Sequence, residues 1–177
     1  MKQIIFAGGI HGVGKSTLCR EVVATLSIGY LSASDVLKWN DINADVKNKK
    51  VLDIPDTQKR LLDGLKATVE PGKRYILDGH FCLFNQDGEV IPVPITTFKQ
   101  INPICLVLVT GIISDIQAAL EKRDDRAYEE AALLTLQEKE IAYAEEVAST
   151  LDIPIYRFQK NTSSLNGLIA QIHESLT

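Results

Sequence analysis

With 177 residues, 45% of them hydrophobic and 24% charged, the chain is long enough to bury one sizeable core but too short for two ordinary domains and a linker. A net charge of −4 argues against a surface built to coat nucleic acid, and no Gly/Ser/Pro-rich tract, charge block or internal repeat marks a tail or a repeat array. Three cysteines, Cys19, Cys82 and Cys105, are odd in number, far apart and outside any C-x-x-C spacing; this argues against a disulfide framework or a thiolate zinc site and points to a reducing cytoplasm.

Apolar runs short enough to be strands recur at residues 3–7, 30–32, 75–77, 104–109 and 153–158. The longest, 104–109, falls far short of the roughly 20 residues that cross a bilayer, and the N-terminus carries no signal-peptide cleavage pattern, so the chain is read as soluble. Helical stripes lie between the runs. Residues 15–27 align Leu18, Val22, Val23 and Leu26, and residues 56–69 align Leu61, Leu62, Leu65 and Val69. A shorter helix over 114–122 has Ser114 or Asp115 to cap it, and a long one over 129–151 carries Leu133, Leu134, Ile141, Ala144, Val147, Ala148 and Leu151. Asn161 or Thr162 caps a last helix that buries Leu165, Leu168, Ile169, Ile172 and Leu176. Strands alternating with helices predict an α/β protein of three layers: a five-stranded, mostly parallel sheet with helices on both faces. It is read as a single domain, 1–177, with an acceptor-side insertion at about 33–70, an irregular flap at about 85–97 and a short lid at about 122–128. In the flap, Gln86-Asp87-Gly88-Glu89 reads as a turn, and Pro92 and Pro94 break any helix.

In such a sheet, ligands sit beyond the C-terminal strand ends. There, Gly9-Ile10-His11-Gly12-Val13-Gly14-Lys15-Ser16 matches the phosphate-loop pattern G-x-x-x-x-G-K-[ST] at every fixed position, after a strand and opening a helix. Gly9, Gly12 and Gly14 let the backbone curl so that N–H groups, including that of Val13, point inward, and the helix N-terminus adds its positive dipole end. Lys15 is placed to reach the β- and γ-phosphates of ATP, Ser16 to ligate Mg²⁺ and Thr17 to contact the α-phosphate. His11 occupies a variable loop position and is read as a packing or solvated side chain.

The remaining motifs narrow the class. No glycine has an aspartate three residues before it, and Asn48-Lys49-Lys50-Val51 lacks the aspartate of a guanine-reading N-K-x-D, so a GTPase is not indicated. A small kinase is. Asp78, ending the third strand, supplies a carboxylate near the metal, and Arg123 and Arg126, flanking Asp124-Asp125 in the lid, supply guanidinium groups able to clamp phosphates or stack on adenine. Lys59 or Arg60 would grip an acceptor phosphate unless they form a solvated helical face, and Trp39 either stacks on a base or packs.

With these parts in place, the chain resembles the archaeal-type adenylate kinases and the small nuclear adenylate kinase of eukaryotes, from residue 2 to about 158. The resemblance rests on Asp78-Gly79-His80, on Ser34-Asp35 after the second strand, on Asp56-Thr57-Gln58-Lys59-Arg60, and on Asn102-Pro103-Ile104. It implies that Asp78 holds Mg²⁺ through water, that His80 positions the acceptor, and that Asp35 lies on the acceptor side, as a nucleotide-orienting group or as the base of a hydroxyl kinase. The lid carries fewer arginines than that family's, and residues 39–52 have no match in it. The expected activity is Mg²⁺-dependent phosphoryl transfer from ATP to a small acceptor, first of all a nucleoside monophosphate. The alternatives are a kinase for a small metabolite or nucleic-acid-end hydroxyl, and an accessory ATPase or nucleotide-dependent switch with a protein partner. No membrane or nucleic-acid partner is expected.

Overall fold

A computed structural model describes residues 4–38, 50–51, 54–85 and 87–177. Trp39, the rest of 39–49, residues 52–53 and Gln86, with the expectations placed on them, lie outside the described residues.

In chain order the elements are β1 (Ile4–Gly8), α1 (Lys15–Leu26), β2 (Gly29–Ser32), α2 (Ala33–Val36), β3 (Lys50–Val51), α3 (Ile54–Thr68), β4 (Tyr75–Asp78) and β5 (Cys82–Asn85). They continue with β6 (Val90–Pro92), α4 (Ile95–Ile101), β7 (Leu106–Thr110), α5 (Ile113–Asp124), α6 (Glu130–Leu151), β8 (Ile155–Gln159) and α7 (Leu165–Leu176). Five strands form one sheet in the order β2-β4-β1-β7-β8, every pairing parallel.

Side chains alternate across a strand, so β1 feeds two cores at once. Ile5 and Ala7 join Ile76, Val107 and Val109 under α1, α5 and α7, whose Leu18, Val22, Ile116, Leu120, Leu168 and Ile172 close that layer. Ile4 and Phe6 join Leu31, Leu77, Leu106 and Leu108 on the other face, under Leu61 and Leu65 of α3, Phe98 of α4, and Ala144 and Val147 of α6. All five residues of β1 are buried, as the central strand of a two-faced sheet requires. Among the described residues no helix is long and apolar enough to cross a membrane.

Three local expectations differ from the structure. The short helix starts at Ile113 with Ile112 at its N-cap, so neither Ser114 nor Asp115 caps it. The last helix is capped by Ser164, whose hydroxyl accepts the Gly167 N–H at 3.2 Å, because the turn at Asn161 (φ 69°) delays the helical start. Asn85 and residues 87–97 are held by pairing and burial. β5 and β6 form an antiparallel hairpin, and β3 adds to β5 in a second, three-stranded sheet. Asn85 shapes the hairpin turn, its Oδ1 accepting Glu89 N–H at 2.8 Å and its Nδ2 donating to the Glu89 carboxylate at 2.9 Å. Pro94 sits at the N-cap of α4, where a proline's missing N–H costs nothing, and Thr97 and Phe98 are buried one turn later. The hairpin base is tied to α6 by Tyr143, whose hydroxyl donates to the Val93 carbonyl at 2.5 Å.

Candidate active site

Strand order reverses direction around β1, whose neighbours are β4 and β7, and the loop after β1 opens into that crevice. Two glycines explain its shape. A Cβ on Gly9 would lie 2.3 Å from the Val109 carbonyl oxygen, and one on Gly12 (φ +79°) would lie 2.7 Å from Leu120. Side chains at either position would push the loop off the sheet and off α5. α1 then starts at Lys15 with no side-chain cap and no acidic residue in its first turn, which leaves its leading N–H groups and dipole for an anion.

Lys15 is buried, with Nζ donating to the carbonyls of Gly9 at 2.7 Å and Ile10 at 3.1 Å. Burial lowers its pKa, and the nearby Asp78 and Glu140 carboxylates oppose that shift. Beside it, Ser16 Oγ donates to Asp78 Oδ2 at 2.5 Å, and the Tyr30 hydroxyl donates to the same oxygen at 3.1 Å. Burial, then the Asp78 charge, push Tyr30 up to about 12, so it stays a donor. Hydroxyl and carboxylate oxygens at this spacing suit Mg²⁺, which takes hard oxygen ligands and keeps several waters beside substrate phosphates. Ser16 and Asp78 would hold it, and bound there it would offset charge on the transferring phosphates. Among the described residues no cluster of three or more acidic, histidine or cysteine side chains could hold a metal by itself.

A cavity of about 420 Å³ runs over the loop from Thr17, Ala119 and Arg123 at one end to Ser32, Ser34 and Leu37 at the other, with Lys15, Ser16, Asp78, His11 and His80 between. Of the residues expected on the acceptor side, His80 is there and Asp35 is not. Asp35 is exposed on α2, while its neighbours Ser32, Ala33 and Ser34 form the wall, because the one short helical turn faces Asp35 away. His80 Nδ1 donates to the Gly9 carbonyl at 2.8 Å, since a carbonyl can only accept, and its ring lies 4.0 Å from that of His11. His11 therefore lines the cavity. Val13 contributes backbone to the loop, but its side chain is in the core.

The lid arginines separate. Arg123 faces the cavity while chelated by Asp124 at 2.7 Å through both Nε and Nη2. That pairing holds the Asp124 carboxyl well below the usual carboxylate range. Arg126 turns away from the P-loop cavity, donating from Nε to the Tyr128 hydroxyl at 2.9 Å and lying 4.7 Å over its ring. Lys59 pairs with Asp63 on the exposed face of α3, and Arg60 donates from Nε to the Leu37 carbonyl at 3.2 Å, behind the cavity wall.

Three residues at this site were not foreseen from the sequence. Tyr30 reads simply as a strand residue. Lys160, after β8, lies over the loop with its side chain 3.7 Å from where a Gly14 Cβ would be. Glu140 reaches from α6 to accept the N–H groups of Phe81 at 3.0 Å and Cys82 at 3.2 Å, and lies 3.7 Å from His80 Nδ1. It is 1% exposed, and burial pushes its pKa up to about 7 against the pull of Lys15. Its signal was a charge on the apolar stripe of α6, seven residues after Leu133 and four before Ala144.

The parallel sheet, the cradle after β1 and the carboxylate that ends β4 define a P-loop protein of three-layer α/β architecture. Within that class the chain belongs to the AAA_17 family, an AAA domain, which it matches over residues 8–137. Curated proteins yield no match in sequence. Among solved structures, a gluconokinase from Sinorhizobium meliloti superposes with a TM-score of 0.61 at 11% identity, over 99% of this chain and 91% of that one. Shikimate kinase from Acinetobacter baumannii, in complex with shikimate, gives 0.60 at 15% identity over 99% and 93%. A sugar kinase from a Janibacter species gives 0.60 at 16% identity over 99% and 95%. At these identities the likeness is one of fold.

Proposed function

We propose that the protein is an ATP- and Mg²⁺-dependent kinase that transfers the γ-phosphoryl group to a hydroxyl of a small molecule. The observation that carries this reading is the composition of the P-loop cavity. Its ammonium and guanidinium, Lys15 and Arg123, are grouped with the phosphate loop and the lid, whereas the far wall offers Ser32, Ser34 and Leu37, with His80 between. Among the described residues that wall has no lysine or arginine to grip the phosphate of an acceptor monophosphate. Ser32 Oγ and Ser34 Oγ lie 2.8 Å apart, a pair suited to a hydroxylated ligand.

In this reading Lys15 leaves its loop carbonyls for the phosphates, Arg123 neutralises charge on the transferring group, and positioning supplies most of the rate. The hydrogen bond from Nδ1 to the Gly9 carbonyl fixes the His80 ring against the loop, where it lines the cavity beside the place the acceptor hydroxyl would take. In this reading His80 has the acceptor-positioning role that the resemblance implies for it. A second reading, transfer to a nucleoside monophosphate in the manner of the adenylate kinases, is favoured by Arg60, which needs only to leave the Leu37 carbonyl to approach the wall.

ADP release should be measured with Mg-ATP and each of D-gluconate, shikimate, D-ribose, adenosine, cytidine, AMP and CMP. The reading expects at least one hydroxyl compound to raise the rate well above the acceptor-free rate. Turnover with AMP or CMP alone would replace it by the second reading, and no acceptor dependence at all would leave an ATPase or a switch.

A further inference from the structure

Beyond the P-loop cavity lies a second hollow, of about 250 Å³, between the β5–β6 hairpin, α5 and the first turns of α6. It meets the first at two shared residues, His11 and Arg123. Its volume is below the roughly 300–1,000 Å³ of pockets that take a whole drug-sized ligand. It is sized for one part of a molecule whose remainder lies next door.

The walls say which part. Phe84 from the hairpin, Leu120 from α5, and Ala132, Leu133 and Leu136 from α6 make it apolar, with Tyr128 at the rim. Most of the polar groups at that rim are tied to one another: Tyr128 donates to Asp124 at 2.5 Å, Asp124 chelates Arg123, and Arg126 donates to the Tyr128 oxygen. Sugar hydroxyls entering here would exchange water for mainly apolar walls, which costs binding. A phosphate would face apolar walls and the Glu129 carboxylate, while the Arg123 and Arg126 guanidinium groups at the rim are held by Asp124 and Tyr128. An aromatic ring meets neither penalty and finds Phe84 and Tyr128 to pack on.

We propose that this hollow is the subsite for an aromatic ring of the acceptor, whose hydroxyl reaches over His11 into the P-loop cavity. The acceptor is then a hydroxylated aromatic compound of the nucleoside kind and not an open-chain polyol. This rests on the hydroxyl-kinase reading for the reacting group, but the ring subsite is tested separately from it.

Saturation-transfer NMR on the full chain, without ATP, would use adenosine, cytidine and 2-phenylethanol as ring probes, and glycerol and D-gluconate as ring-free ones. Ala132 lines the second hollow and not the P-loop cavity, and is exposed on α6, so Ala132→Trp fills the hollow without entering the nucleotide loop. The ring probes should bind the natural chain and weaken about tenfold or more in Ala132→Trp, with ATP affinity changed less than twofold. Ala132→Leu should act in the same direction, so the outcome does not hang on one bulky variant. With Mg-ATP added, ring-bearing alcohols should be phosphorylated and Ala132→Trp should raise their KM. Ring probes that bind both proteins equally, or polyols that bind in their place, overturn the subsite. Ring compounds that bind there while only polyols are phosphorylated make it an effector site and overturn it too. Ring binding that depends on Ala132 while only AMP or CMP is turned over keeps the subsite and defeats the hydroxyl reading instead.

Discussion

Lys15 and His80 meet on one oxygen: the Gly9 carbonyl accepts Lys15 Nζ at 2.7 Å and His80 Nδ1 at 2.8 Å. The lysine proposed to bind phosphate and the histidine proposed to position the acceptor are thus referenced to the same peptide group just after β1. On the proposed mechanism Lys15 would turn to a phosphate and that carbonyl would keep His80 as its donor.

Lys15→Ala should abolish the stabilisation by ATP without unfolding the chain. A ligand at about 100 times its Kd stabilises by about 2.7 kcal/mol. Thermal melts with and without Mg-ATP should show that shift for the natural chain and little or none for the variant, with kcat lower by at least about 10². A preserved ATP-dependent shift would mean that Lys15 does not bind the nucleotide.

Tyr30→Phe should affect magnesium more than ATP. It removes one of two hydroxyl donors on Asp78 Oδ2 and leaves Ser16 in place. A hydrogen bond to a charged group is worth about 1.5–3 kcal/mol, so the Mg²⁺ concentration for half-maximal activity should rise by about tenfold to a hundredfold. A Mg²⁺ titration at saturating ATP checks this, and Asp78→Asn should show a larger effect of the same kind.

Arg123→Gln should lower kcat by about 10²–10³ with a smaller change in ATP affinity, because a lid guanidinium acts chiefly on charge that develops during transfer. Asp124→Asn should produce a milder version by loosening the bidentate pairing that orients Arg123. Steady-state kinetics on both variants separates the two effects, and an unchanged kcat in Arg123→Gln would remove the lid from the reaction.

Glu140 makes stability depend on pH. Its folded pKa of about 7 stands above the ordinary 4.5, so the folded chain binds the extra proton between those values. The contribution is fully present below pH 4.5, declines as pH rises and is gone above about 7, with a span on the order of 3 kcal/mol. Melting curves from pH 4.5 to 8 should show the natural chain losing ground to Glu140→Gln across that window. Parallel curves would place Glu140 outside this account.

Much of this was legible because it is local. The five strands of the main sheet, the loop from Gly9 to Ser16 and the strand-end Asp78 follow from runs, spacings and one motif that need no knowledge of distant residues. What was not legible depends on partners far along the chain. The Phe81 and Cys82 N–H groups find Glu140 nearly 60 residues later, and Tyr30 meets Asp78 from another strand. The β5–β6 hairpin escaped notice because Pro92 and Pro94 read as breakers, although proline is tolerated at a strand end and at a helix start. The resemblance implies Asp35 on the acceptor side, as a nucleotide-orienting group or as the base of a hydroxyl kinase; its side chain is exposed on the single turn of α2, and Ser32 and Ser34 line the cavity beside it.

The central claim is transfer to a hydroxyl, and ³¹P NMR of the full chain with Mg-ATP and the hydroxyl panel reads it directly. A new phosphomonoester signal rising in step with ADP, and missing in Lys15→Ala, is the predicted result. ADP accompanied only by inorganic phosphate, or by a nucleoside diphosphate from AMP or CMP alone, would contradict it.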